Sequence, residues 1–157
     1  MGNPVLLREV VEHLEMASDE MTAYVNRETG ELYTITDEDV AYAEGEDDEE
    51  EAPDWQKESI SKAKEIQDKD TWVALPGKFE INEWEIMQKF AQSQTDERLS
   101  ESLLRAIHGK GAFRYFKDVV FREGIRDEWF SFRQRALEQI AEEFLMRENI
   151  PYRKEAD

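Results

Sequence analysis

The sequence predicts an α+β protein, with a small three-stranded sheet and helices followed by a mainly helical C-terminal cluster of about four helices. Three observations carry this. Short β-prone runs with Tyr, Val, Thr and Ile occur only in the first half. Apolar residues recur at helical spacing almost without interruption after residue 80. All eight Phe lie after residue 78, which puts the main aromatic core in the second half. The expected division is an acidic α+β subdomain at 1–78, a helical core subdomain at 79–150 and a tail at 151–157.

Asn3 and Pro4 suit the start of a first helix, as N-cap and first helical residue. Leu6, Leu7, Val10, Val11 and Leu14 give it one apolar stripe. Residues 21–25 and 32–35 flank residues 26–30, which end in Gly30, and read as a hairpin. Thr36 can cap a short helix over residues 37–43. Residues 44–51 read EGEDDEEE, seven acids in eight residues, and such a self-repelling block forms a solvated acidic loop, with 44–53 as its extent. Asp54 then caps a helix with Trp55, Ile60, Ala63 and Ile66 on related faces. Residues 71–75 (TWVAL) supply a third strand, which Pro76 and Gly77 stop.

In the second half, Asn82 and Glu85 have capping-box spacing, and Ile81 and Ile86 are placed as a staple, ahead of Trp84, Met87, Phe90 and Ala91. Thr95 caps a helix with Leu99, Leu103, Leu104 and Ile107. Residues 108–111 break it, and Phe113, Phe116 and Val120 begin another that Gly124 ends. Asp127 caps a long helix from Trp129 to Leu145, closed by Asn149 and Pro151.

Charge divides the chain in the same way. The net charge is −18, of which residues 1–70 carry −16 and the remainder −2. Leu, Ile, Val and Phe make up 17% of the first 70 residues and 26% of the rest. A charged segment below about 20% has too little apolar surface to order itself. The first half is therefore expected to dock on the second to stay ordered.

The segments LPGKFEINEWEIMQKF (75–90), AIHGKGAFRYFKD (106–118) and IRDEWFSFRQRAL (125–137), in that order, resemble bacterial uncharacterised protein family 158. The resemblance covers roughly residues 54–150, with weaker agreement at the first helix and hairpin. It implies a bacterial, cytoplasmic protein and brings no assigned activity, substrate or site residue.

Several chemistries fall away. No apolar run approaches the ~18 residues that span a bilayer, and no basic segment followed by an apolar one marks a secretory signal. Zero Cys removes disulfides, Cys-based metal sites and thiol nucleophiles, and is compatible with a reducing cytoplasm. His13 and Glu9 give at most two metal ligands on one helix face. Placing Gly45 at the sixth position of a calcium loop puts Val40 at the first, so that motif fails. Nucleophile-elbow and phosphate-loop patterns are absent. No cofactor, metal or catalytic residue is expected, and the reading leans away from an enzyme.

One stretch carries chemistry. His108, Lys110, Gly111, Arg114 and Lys117 form a candidate anion-binding site, because glycines admit close backbone approach and free N–H groups at a helix start favour anions. The plainer reading is that the glycines separate two helices while Phe113 and Phe116 enter the core. An RNA-recognition strand motif is rejected, since its second glycine is misplaced and the segment lies between helices. Around it, residues 105–135 hold eight bases and four acids. Three readings stay open: a phosphate-bearing or nucleic-acid partner, neutralisation of the acidic half by docking or dimerisation, and charges dispersed without joint effect. The expected role is a non-enzymatic interaction or regulatory module with an unknown protein partner or self-association. Phosphate or nucleic-acid binding is the less favoured alternative, and no membrane partner is expected.

Overall fold

A computed structural model of the chain describes residues 4–16, 18–77 and 81–154. It is α+β, with a three-stranded antiparallel sheet and helices in the N-terminal part and helices packing together in the C-terminal part. Two compact units form. One comprises Met1–Glu80 with Ile140–Asp157, and the other Ile81–Gln139. The expected boundary at 78–79 lies outside the described residues, and residues 140–150, expected with the helical core, group with the first unit.

The first unit opens differently from expectation. Asn3 lies outside the described residues, and Pro4 is not helical. Val5–Leu6 form β1, which pairs in parallel with β5 (Tyr152–Arg153), and the Val5 N–H donates to the Pro151 carbonyl at 3.0 Å. That pairing holds the backbone extended, so α1 starts only at Leu7 and runs to Glu15. The segment expected as a tail thus carries a strand. Leu7, Val10, Val11 and Leu14 are the buried stripe of α1.

β2 (Met21–Asn26) pairs with β3 (Leu32–Thr36) as the expected hairpin. Asn26, 7% exposed, builds its turn: Oδ1 accepts from the Glu28 and Thr29 N–H groups at 2.8 and 3.1 Å, and Nδ2 donates to Thr71 Oγ1. Gly30 takes φ +78° to close it. Thr36 caps α2 (Asp37–Ala43) through a full capping box with Asp39. The buried Asp39 carboxylate also accepts from Gln56 Nε2 at 3.0 Å. Residues 44–51 are exposed, with a short 3₁₀ turn at Glu49–Glu51 capped by Asp48.

Asp54 does not cap α3 (Lys57–Asp68). It opens a 3₁₀ turn, Asp54–Gln56, whose side chains precede the helix. Trp55 consequently lies off the apolar face and is 76% exposed. β4 (Trp72–Ala74) pairs antiparallel with β2, so the sheet order is β3-β2-β4. Ile35, Ala63, Ile66 and Trp72 form the core beneath it, with Tyr24, Tyr33, Val40 and Ala43 packed around.

Lys62 ties that core together. Its ammonium lies 5.4 and 5.3 Å from the Tyr33 and Trp72 ring centroids and 3.1 and 3.6 Å from the Glu31 and Glu65 carboxylates. Trp72 Nε1 donates to the same Glu65 at 3.1 Å. Burial alone lowers the Lys62 pKa, but hydrogen bonds and charge from Glu31 and Glu65 outweigh it and hold the group above the ordinary 10.5.

In the second unit, Asn82 accepts from the Glu85 N–H at 3.0 Å and starts α4 (Glu83–Gln92), with Ile81 and Ile86 both buried. Asp96 rather than Thr95 caps α5 (Glu97–Ala106), accepting from the Arg98 and Leu99 N–H groups. A carboxylate at the positive helix end outcompetes the neighbouring hydroxyl. α6 (Ala112–Arg122) follows, and α5 packs against both α4 and α6. α7 (Arg126–Arg147) begins one residue before the expected cap Asp127, with the Trp129 N–H bonding the Ile125 carbonyl at 3.0 Å. Asn149 takes φ +57°, the left-handed residue that ends α7 ahead of Pro151. Phe90, Phe116, Trp129 and Phe132 meet edge to face, with centroids 4.7–6.1 Å apart.

Two stability outcomes follow from the first unit. Asp39→Ala removes two acceptors from buried donors and should lower unfolding free energy by about 2 kcal/mol in urea titration. Lys62→Met should cost about 1 kcal/mol. Because the folded pKa is raised, that difference is full below the ordinary lysine value of 10.5 and shrinks as pH rises through the folded value. A difference that grows on alkalinisation contradicts the assignment.

Candidate functional site

The site begins with the break between α5 and α6. Gly109 and Gly111 take φ +103° and +77°, conformations that side chains with a Cβ rarely adopt, and so reverse the chain within residues 108–111. Trp84 Nε1 donates to the Ile107 carbonyl at 2.9 Å, satisfying one acceptor at the end of α5, and the Trp84 ring meets the His108 ring edge-on at 6.4 Å. α4 thereby fixes the exit of α5.

Gly111 is the N-cap of α6. It offers no capping side chain, and the first helical bond runs from the Tyr115 N–H to the Gly111 carbonyl at 2.9 Å. A Cβ at Gly111 would lie 3.2 Å from Tyr115 Cε2. The ring therefore rests against the bare glycine backbone, while the Arg114 guanidinium lies 5.9 Å from its centroid.

α6 can bury only one side. Phe116, Val119 and Val120 are buried. At 100° per residue the remainder separates into two exposed stripes. Phe113, Lys117 and Phe121, spaced by four, form one. Tyr115, Asp118 and Arg122 form the other. Phe113 was expected in the core beside Phe116, but the two are about 60° apart around the helix axis and only Phe116 reaches it.

The first stripe continues onto α7. The Arg126 guanidinium lies 5.2 Å from the centroids of both Phe121 and Phe130, which are 65% and 51% exposed. This is an apolar surface carrying cations rather than a scatter of single residues. Two turns further along α7, Arg133 makes a two-pronged contact with Glu83 in the first turn of α4, with Nη2 at 2.6 Å and Nε at 3.2 Å from the carboxylate. That arginine secures α7 to α4.

The second stripe forms one wall of an open cleft of about 500 Å³ against α5. Ser102 and Arg105 of α5, His108 of the break, and Tyr115, Asp118 and Arg122 of α6 line it over Ala106 and Val119. Of the five residues expected to bind an anion together, His108 lines this cleft; Lys110, Gly111, Arg114 and Lys117 do not. Lys117 belongs to the aromatic stripe, Arg114 sits on Tyr115, and Gly111 supports the Tyr115 ring from behind. Arg105, Tyr115 and Arg122 were legible only as members of a basic, aromatic segment. The i, i+3 and i+7 relation of Tyr115, Asp118 and Arg122 on α6 was the signal that could have assembled the cleft wall. Among the described residues, no three His, Cys, Asp or Glu side chains group as a metal site, and no helix is long and apolar enough to cross a membrane.

No family model, curated protein or solved structure matches the chain.

Two glycine variants separate the roles of the break. Gly109→Ala meets no atom within 4 Å and carries only the backbone penalty of about 1 kcal/mol. Gly111→Ala adds the collision with Tyr115, so its loss of stability in urea titration should shrink when it is made in a Tyr115→Ala background. Equal losses in the two backgrounds would show that Tyr115 does not depend on the glycine.

Proposed function

We propose that the protein is a bacterial cytoplasmic interaction module, not an enzyme, and that its aromatic and basic face on α6 and α7 receives the acidic stretch of a second copy. The observation that carries this is Arg126 held between the exposed rings of Phe121 and Phe130. Exposed aromatics backed by Lys117 and Arg126 suit a partner that presents carboxylates together with an apolar group. This chain has such a segment. Residues 44–51 are exposed and hold seven acids, and Trp55, 76% exposed, follows four residues later. Glu49 is paired with Lys64, while Glu46, Asp47, Glu50 and Glu51 form no ion pair among the described residues. Charge complementarity therefore selects this occupant over a neutral or basic one.

Sedimentation velocity tests it. The wild type should gain mass with concentration at low salt and lose it at about 0.5 M salt, where the Debye length falls to a few ångströms. Phe121→Ser with Phe130→Ser should be monomeric, as should the variant with Glu46, Asp47, Glu50 and Glu51 made neutral. Mixing the two should restore a heavier species, because each retains the half that the other lacks. A monomer at every concentration, or association that survives both sets of changes, overturns the proposal. Binding of a labelled oligonucleotide that is lost in the Phe variant, with the protein monomeric throughout, assigns the face to nucleic acid instead.

A further inference from the structure

We infer that the cleft between α5 and α6 is a binding site for a phosphate monoester of nucleotide size. It is separate from the aromatic face, since Tyr115, Asp118 and Arg122 lie about 60–180° around α6 from Phe113, Lys117 and Phe121. The inference does not depend on self-association.

The donors at the cleft set its ligand class. Arg105 and Arg122 bring two guanidinium groups, His108 an imidazole and Ser102 a hydroxyl, against one lining carboxylate, Asp118. Arginine forks match the several oxygens of a phosphate, which accepts from more donors at once than a carboxylate does. Arg105 has no salt bridge among the described residues of this unit, although Glu101 lies one helical turn before it and lines an adjoining depression. Among the described residues Arg122 has one ion pair, with Glu123 at 3.4 Å, an exposed pair that a stronger acceptor displaces at little cost.

The rest of the wall fits the remainder of such a ligand. Tyr115 presents an aromatic ring whose place is set by the Gly111 backbone, so a planar group can stack without first ordering the side chain. Asp118 is an acceptor for a ligand hydroxyl. The open cleft, about 500 Å³, is wider than a single ion requires. His108, Arg105, Arg122, Ser102 and Tyr115 all line one opening. Trp84 holds its His108 end, and the α5–α6 packing holds its floor.

The chain's two histidines make the test direct. His108 lines the cleft, and His13 lies on α1 with Nδ1 2.8 Å from the Glu9 carbonyl, so one reports and the other is an internal control. Adenosine 5′-monophosphate is titrated into the full chain at constant ionic strength and followed by imidazole carbon–proton correlation spectra. The His108 signals should shift and saturate, His13 should stay fixed, and inorganic phosphate should compete. Arg105→Gln with Arg122→Gln should weaken binding at least about tenfold, while Tyr115→Leu should weaken the monophosphate and leave inorganic phosphate unchanged. Unshifted His108 signals, a shift that sodium chloride reproduces, or equal affinity in the double Arg variant overturns the inference. Both Arg positions are exposed, and an unchanged near-ultraviolet circular dichroism and fluorescence signal from buried Trp129 of the same unit certifies that a variant is folded.

Discussion

Burial of Phe116 against Phe90 and Trp129 is the contact on which the C-terminal half depends. Its ring is fully inaccessible and meets Trp129 edge-on at 4.7 Å. A helix rotates as a rigid cylinder, so fixing one residue of α6 fixes all of them. With Phe116 inward, Val119 and Val120 follow it. Phe113, Lys117 and Phe121 must emerge on one flank and Tyr115, Asp118 and Arg122 on the other. Neither exposed stripe is independent of the core. Both are consequences of a single aromatic contact, and the two candidate surfaces exist because one helix can satisfy only one of its faces.

The first unit meets a different constraint. Its share of residues 1–70 is poor in large apolar side chains, and composition alone left its order in doubt. Two features answer this. Residues 140–150 join it, with Ala141, Phe144, Leu145 and Ile150 buried, and β5 pairs with β1. Apolar material therefore arrives from the far end of the chain. The polar side chains that the unit buries or half-buries are also connected, except at Gln56 Oε1, which has no partner among the described residues. Asn26 organises the hairpin turn, Asp39 links the α2 cap to Gln56, and Lys62 stands between two rings and two carboxylates. Connected polar groups lose little on burial, whereas isolated ones would cost several kcal/mol, roughly what a small core supplies.

Elements fixed by neighbours in sequence were legible in it. The hairpin, the Thr36 cap, the third strand, the Asn82 cap and the left-handed Asn149 all follow from residues within a few positions of one another. What escaped depends on distant partners or on rotation. The parallel pairing of β1 and β5 joins residues nearly 150 apart, and it displaced the start of α1 from Pro4 to Leu7. α7 is one uninterrupted helix with one pattern, so nothing along it marks the point at which its residues change units. Thr95 and Asp96 are both sound caps. Only the geometry of the turn chooses between them, and it favours the carboxylate.

The candidate site shows the same limit in its charges. Eight bases and four acids in residues 105–135 sum to +4, but a sum along the chain has no direction. Helical periodicity divides it, sending Lys117 to the aromatic flank and Arg122 to the cleft. Nearness in sequence grouped His108, Lys110, Gly111, Arg114 and Lys117; the fold keeps His108 in the cleft and recruits Arg105 from the preceding helix and Arg122 from two turns beyond Arg114. Gly111 keeps a part in this for a reason other than anion approach. Its missing Cβ is what admits the Tyr115 ring, and that ring forms the cleft wall. A glycine read as a place for a ligand to come close is better understood as a place where the protein's own side chain does.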